Sequence, residues 1–183
     1  MSPPKPWKRL GRDREADYRI LKIHDERAVN PRNDTEHRLT LVECPDWVNV
    51  IPVTKDGQLV FVRQFRFGIW ANTLEIPGGS LEPGEAPAGA AARELEEETG
   101  YRAGRLEYLG AVHPNPAFQT NRCHSFLALD CEKVHGGRQD SGEDIAVELY
   151  RREDLPRLLG GEVTHSLVLV AFYLERLRAD AAR

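Results

Sequence analysis

The sequence predicts an α/β protein in which helices cover both faces of one mixed sheet. Three observations carry that prediction. Segments with strand-like alternation come first and are joined by short turns, so they form hairpins. A strand then runs directly into an alanine-rich, acidic helix, and two apolar helical stretches close the chain. Hairpins, a strand–helix unit and closing helices in that order build a mixed sheet enclosed by helices.

Bulk properties bound the rest. A chain of 183 residues makes one principal domain with a small appendage. With 40% hydrophobic and 30% charged residues it can bury a core and carry a hydrated surface. The net charge of −4 excludes a broad basic face for nucleic acid. Cys44, Cys123 and Cys131 are odd in number and lack metal-type spacing, which fits reduced thiols. The polar, basic start has no apolar core of a leader, and no run reaches membrane-spanning length. The expectation is a cytoplasmic protein with no membrane and no nucleic-acid partner.

Taken in order, residues 1–16 read as a flexible arm, because Pro3, Pro4 and Pro6 forbid helix and the following charges offer little to bury. Trp7 is its one aromatic. Residues 17–45 read as a strand hairpin, with strands over 18–28 and 37–43 around the turn residues Asn30–Asp34. Residues 46–183 form the main domain. Strands over 47–54 and 58–65 flank the turn Lys55-Asp56-Gly57, and a short strand over 73–76 leads to Gly78-Gly79. After the acidic helix come strands over 106–112, 122–130 and 145–150, the last preceded by a polar loop over 133–142. Helices over 153–159 and 165–179 end the chain. Leu167, Val170, Ala171, Leu174 and Leu177 keep helical spacing and form the face that covers the sheet.

The most informative stretch is GGSLEPGEAPAGAAARELEEETGY, from Gly78 to Tyr101. On its helix Glu94, Glu97 and Glu98 share one face, while Ala88, Ala91, Ala92 and Leu95 make a neighbouring apolar one; Glu96 points to solvent. Like charges at these spacings destabilise a helix by roughly 0.2–0.5 kcal/mol per pair. A hard divalent cation converts that repulsion into binding, since Mg²⁺ selects carboxylate and water oxygens. The plain alternative is a solvated acidic helix.

The full pattern carries a resemblance that favours the cation. Gly79, five residues, Glu85, seven residues and then Arg93-Glu94-Leu95-Glu96-Glu97-Glu98-Thr99-Gly100-Tyr101 resembles the Nudix box, G-x5-E-x7-R-E-U-x-E-E-x-G-U. Every charged and glycine position agrees; Tyr101 stands where an aliphatic residue is commoner. The resemblance implies a Nudix fold, an α/β/α sandwich. It also implies Mg²⁺ or Mn²⁺ as cofactor, and hydrolysis of a nucleoside diphosphate linked to another group. It makes Glu94, Glu97, Glu98 and the carbonyl of Gly78 or Gly79 metal ligands, with Glu85 and Arg93 as a supporting pair. The preceding hairpin resembles the N-terminal sheet that pairs or swaps between subunits in ADP-ribose and nucleotide-sugar pyrophosphatases, which implies a homodimer.

Further site residues follow from the same resemblance. Asp140-Ser141-Gly142-Glu143 before the last strand resembles the loop that supplies a base or an extra ligand; Glu143 is the first candidate and Asp140 the reserve. Arg63 and Arg66, in V-R-Q-F-R, resemble the arginines that face the diphosphate, although strand alternation allows only one of them a central place; surface charge is the alternative. Asn115, Gln119 and Asn121 lie around Pro116 in a loop resembling the wall of a nucleotide-sugar pocket; a rigid turn explains the prolines equally well. Trp47 either stacks on a base or packs in the core.

The leading function is therefore metal-dependent cleavage of ADP-ribose or a nucleoside diphosphate sugar into a nucleoside monophosphate and a sugar phosphate. Rival substrates are dinucleoside polyphosphates, NADH and coenzyme A. A regulator that binds ADP-ribose without cutting it is the alternative from another class.

Overall fold

A computed structural model describes residues 3–138 and 144–181. The chain divides into two compact units, residues 1–45 with 113–122, and residues 46–112 with 123–183.

The first unit is a three-stranded antiparallel sheet in the order β1-β2-β3, made of β1 (Lys8–Asp17), β2 (Lys22–Val29) and β3 (Glu36–Glu43). This corrects the expected arm and hairpin: only residues before Lys8 lack regular structure among those described, and β1 adds a third strand. A ladder of backbone hydrogen bonds needs no apolar side chains. The charges of β1 are matched across the sheet, Arg27 to Asp13 at 3.0 Å and Arg12 to Glu43 at 2.8 Å. Register shifts between Arg9 and Gly11 and between Asp13 and Glu15 break the two-residue period that would have revealed the strand. Tyr18 and Ile20, expected inside a strand, sit exposed in the turn between β1 and β2. The segment His113–Arg122 joins this unit through β3: the Val42 amide donates to the Phe118 carbonyl at 2.8 Å, and the Thr120 amide to Val42 at 3.1 Å.

The second unit is built on an eight-stranded mixed sheet. Its spine runs β11 (Ile145–Tyr150), β5 (Leu59–Arg66), β4 (Trp47–Thr54), β10 (Cys123–Lys133), β8 (Tyr101–Arg102). Three further strands pair onto it: β6 (Ala71–Glu75) on β5, β7 (Gly78–Ser80) on β4 and β9 (Arg105–Val112) on β10. Among the described strands of this sheet only β4 and β10 run parallel to each other.

Two cores lie on opposite faces of this sheet. On one, Val48, Val50, Val60 and Phe126 pack against Ala90, Ala91 and Leu95 of α1 (Pro87–Thr99). The buried alanines of α1 are thus Ala90 and Ala91, whereas Ala88 and Ala92 face outward. On the other, Ile51, Leu59, Phe61 and Leu74 pack against Leu158 and Val163 and against α3 (Ser166–Ala181). The Phe61 and Phe172 rings stack with centroids 5.8 Å apart. Leu167, Val168, Ala171 and Phe172 form the buried stripe of α3, and Leu177 of the expected face is exposed. The helix expected over 153–159 is a chain of short turns instead, with α2 (Leu155–Arg157) between a 3-10 turn at Arg152–Asp154 and a π turn at Leu158–Glu162. Pro156 and the Gly160-Gly161 pair keep it from growing. No helix among the described residues is long and apolar enough to cross a membrane.

Candidate active site

α1 starts at Pro87, whose missing amide costs nothing in a first turn, and stops at Gly100 with φ +72. Between these ends the acidic residues take three different environments. Glu98 is buried and accepts a hydrogen bond from the Gly78 amide at 3.0 Å. Glu94 lies against β7, and Glu97 is the most open of the three. Glu96 does not merely face solvent: Arg102 donates to it twice, at 2.9 and 3.0 Å, and His135 stands 3.3 Å away. The Arg102 bonds, helped by His135, hold its carboxyl at a pKa of about 2.

Arg93 is the hub. Its Nε and Nη2 donate to the two carboxylate oxygens of Glu85 at 3.0 and 2.9 Å, and its Nη1 donates to Glu94 at 2.9 Å and to Glu97 at 3.0 Å. Nη2 also reaches the Ser80 carbonyl at 3.2 Å. One guanidinium thereby joins the loop before α1, the helix and β7. Glu85 is held below the usual carboxylate range chiefly by Arg93, and Arg93 is raised by Glu85 before its other partners.

The glycines explain how the helix comes so close. A Cβ on Gly79 would stand 2.4 Å from Glu94 Oε1, and one on Gly78 would stand 2.2 Å from the Val48 carbonyl oxygen. Only glycine lets β7 lie between β4 and the carboxylates.

Hard oxygen donors at Glu94, Glu97 and Glu98, with unsubstituted backbone at Gly78-Gly79 beside them, fit Mg²⁺ or Mn²⁺. Among the described residues no compact group of three or more His, Cys, Asp or Glu side chains is already gathered for a metal, and Arg93 holds two of these carboxylates.

The arginines of β5 part company. Arg63 lies on the α3 face, where Nε donates to Glu148 at 2.6 Å and Nη2 to Glu162 at 3.5 Å. Phe61 on its side of the strand belongs to the α3 core and Val60 to the α1 core, so the alternation is unambiguous. Arg63 is therefore turned away from the acidic helix. Arg66 lies on the α1 face by the same alternation and donates to both oxygens of Glu75, at 2.8 and 2.7 Å. Glu75 is 3% exposed. Burial pushes its pKa up, and bonds from Arg66 and Thr73 more than reverse the shift. Sequence reasoning missed Glu75. Its signal was the alternation in β6, where Leu74 and Ile76 enter the α3 core and leave Thr73 and Glu75 on the other side.

Trp47 is half-buried at the start of β4, in register with Ser80 and Cys123. Asn115, Gln119 and Asn121 belong to the first unit. The Asn115 side chain accepts from the Ala117 amide at 3.4 Å, and its carbonyl accepts from the Gln119 amide at 2.8 Å. Asn121 is buried, and neither atom of its amide has a hydrogen-bond partner among the described residues. Glu143 and Asp140 lie outside the described residues. The segment leading toward them is docked on the end of α1, the Arg138 amide donating to Glu97 O at 2.7 Å and the Val134 amide to Gly100 O at 2.8 Å.

The family model described as the NUDIX domain matches residues 45–170. The chain is 34% identical over 142 residues to an ADP-ribose pyrophosphatase of Bacillus subtilis (strain 168), covering 77% of this chain and 76% of that protein. It is 36% identical over 156 residues to a methanol dehydrogenase activator of Bacillus methanolicus, covering 84% and 83%. A crystal structure described as an ADP compounds hydrolase has the same fold, with a TM-score of 0.86 at 20% identity over 100% of this chain and 98% of that one.

Proposed function

We propose, from the premise that this chain belongs to the NUDIX family, that it cleaves the diphosphate of ADP-ribose or of a nucleoside diphosphate sugar with Mg²⁺ or Mn²⁺. One observation carries the reading: Glu94 and Glu97 meet at Arg93 while Glu98 is tied to Gly78, so three carboxylates are set at one turn of backbone.

The two negative phosphates repel a nucleophile, so their hydrolysis needs charge neutralisation, a held water and a proton acceptor. Glu94, Glu97 and Glu98, with a backbone carbonyl at Gly78, are the residues to hold the cation, which when bound screens the diphosphate and acidifies water. Arg93 and Glu85 fix the carboxylates before substrate arrives, which removes reorganisation from the reaction itself. Arg66, anchored by Glu75 and on the α1 face of β5, is the arginine of the pair assigned to a phosphate oxygen. Glu143 is assigned the proton from the attacking water. Trp47, Asn115, Gln119 and Asn121 are assigned to the nucleoside or the sugar, and a homodimer is the proposed assembly.

The test is turnover of ADP-ribose, GDP-mannose and a panel of nucleotide sugars with and without Mg²⁺, the products identified by mass. Metal-dependent release of a nucleoside monophosphate and a sugar phosphate is the expected result. Tight binding of ADP-ribose without any turnover would instead make the chain a sensor.

A further inference from the structure

The first unit contains a cavity of about 370 Å³ that the proposed hydrolysis does not use. Trp7, Arg9, Arg12, His24, Glu26 and Thr120 line it, and Ala28 and Leu41 supply an apolar wall. His24 is 1% exposed, yet neither of its ring nitrogens has a hydrogen-bond partner among the described residues, and the same holds for Glu26 Oε1. The nearest carboxylates, Glu26 and Glu43, each stand 3.9 Å from a ring nitrogen, beyond hydrogen-bonding reach. Buried polar atoms are almost always satisfied, so an imidazole left open at a cavity wall marks a place where something else completes it.

The wall specifies what that is. Arg9 pairs with Glu26 and Arg12 lies 2.8 Å from Glu43, but the two arginine side chains are 64% and 45% exposed and can turn to a stronger anion. Two guanidinium groups and an imidazole suit a phosphate dianion. The open Glu26 oxygen accepts from a hydroxyl, and the Trp7 indole with Ala28 and Leu41 offers a surface to a planar ring. The volume lies in the range of small-molecule sites. We infer that this cavity is a second nucleotide site, taking a ribonucleoside monophosphate through Arg9, Arg12 and His24. That such a ligand is also a product of this chain, and hence a feedback signal, rests on the function proposed above; the binding itself does not.

The test is calorimetric titration of AMP into the full-length protein in EDTA, with inorganic phosphate, ribose 5-phosphate and adenosine as fragments. The expected result is saturable AMP binding that Arg9→Ala and His24→Gln each weaken by about tenfold or more, and that Arg66→Gln, at the arginine assigned to the substrate's phosphate, leaves within about twofold. Inorganic phosphate competes and adenosine alone binds more weakly. Loss of AMP binding in Arg66→Gln with full binding in Arg9→Ala and His24→Gln puts the nucleotide at the hydrolytic site only and overturns the inference. So does the absence of saturable binding. Arg9 has a 64% exposed side chain and is removed without touching a core, so it decides the matter if His24→Gln does not fold. No turnover is read, so failure of the hydrolytic reading and failure of this site give different results.

Discussion

Arg93 grips Glu85 with two parallel hydrogen bonds, Nε to Oε1 at 3.0 Å and Nη2 to Oε2 at 2.9 Å. The pair spans eight residues and ties the middle of α1 to the loop that precedes it. Lysine keeps the charge but not the fork. Arg93→Lys is expected to lower kcat by about tenfold or more with little change in far-ultraviolet dichroism. In a double-mutant cycle with Glu85→Gln the two losses should fall short of adding, with a coupling of about 0.5–3 kcal/mol in the activation free energy. Strict additivity would show that the grip has no part in catalysis.

Glu98 is buried, so its replacement tests structure and chemistry together. Glutamine retains an acceptor for the Gly78 amide and removes the charge. Glu98→Gln should lose roughly 100-fold or more in kcat, while its Tm stays within about 4 °C of the parent. A near-normal kcat at saturating Mg²⁺ removes Glu98 from the proposed ligands.

The two adjacent glycines should fail differently. In Gly78→Ala the new methyl meets the Val48 carbonyl at 2.2 Å, and backbone on both sides must move. A Tm fall of about 4–8 °C or more is expected in thermal melts. In Gly79→Ala the methyl meets the end of the Glu94 side chain, which can swing away. That variant should fold normally and lose activity, because Glu94 leaves its place. Equal Tm losses in both would contradict the assignment.

Arg63 and Arg66 separate stability from substrate binding. Arg63→Gln breaks the bond to Glu148 on the α3 face and should lower Tm with KM changed by less than about twofold. Arg66→Gln leaves the buried Glu75 without its fork and should raise KM. A large rise in KM for Arg63→Gln alone would reverse the roles.

Glu96 gives a pH signature. Its folded pKa of about 2, set by Arg102 and His135, lies below the ordinary value of 4.5. A depressed carboxyl favours the fold above the unfolded pKa, and that contribution fades as pH falls from about 4.5 toward 2. Glu96→Gln should therefore flatten the pH dependence of stability in that window, measured by urea titrations. An unchanged slope would show that the exposed Arg102 pair is fully screened.

Much of this was legible in the chain. The box spacing needed only residue identity, because fixed helical geometry converts positions 94, 97 and 98 into one face. The strand β4 and the last strand β11 were read with their observed limits, since strong apolar alternation ends at clear breakers. The β1 strand was not legible, because its pairing is carried by backbone and by charges, and its register shifts erase the period. The π turn at Leu158–Glu162 was hidden for a related reason: a helical pattern does not report which hydrogen bonds close it.

The sequence by itself determined the composition of the acidic helix, its glycine turn and its family, because local spacing and residue type are enough for all three. Tertiary structure decided the rest: that Arg63 meets Glu148 on the α3 face while Arg66 takes the other face, and that His24 lines a cavity with no hydrogen-bond partner among the described residues. Those facts depend on which strands become neighbours and which face each side chain takes. Such contacts join residues far apart in the chain, and no local pattern encodes them.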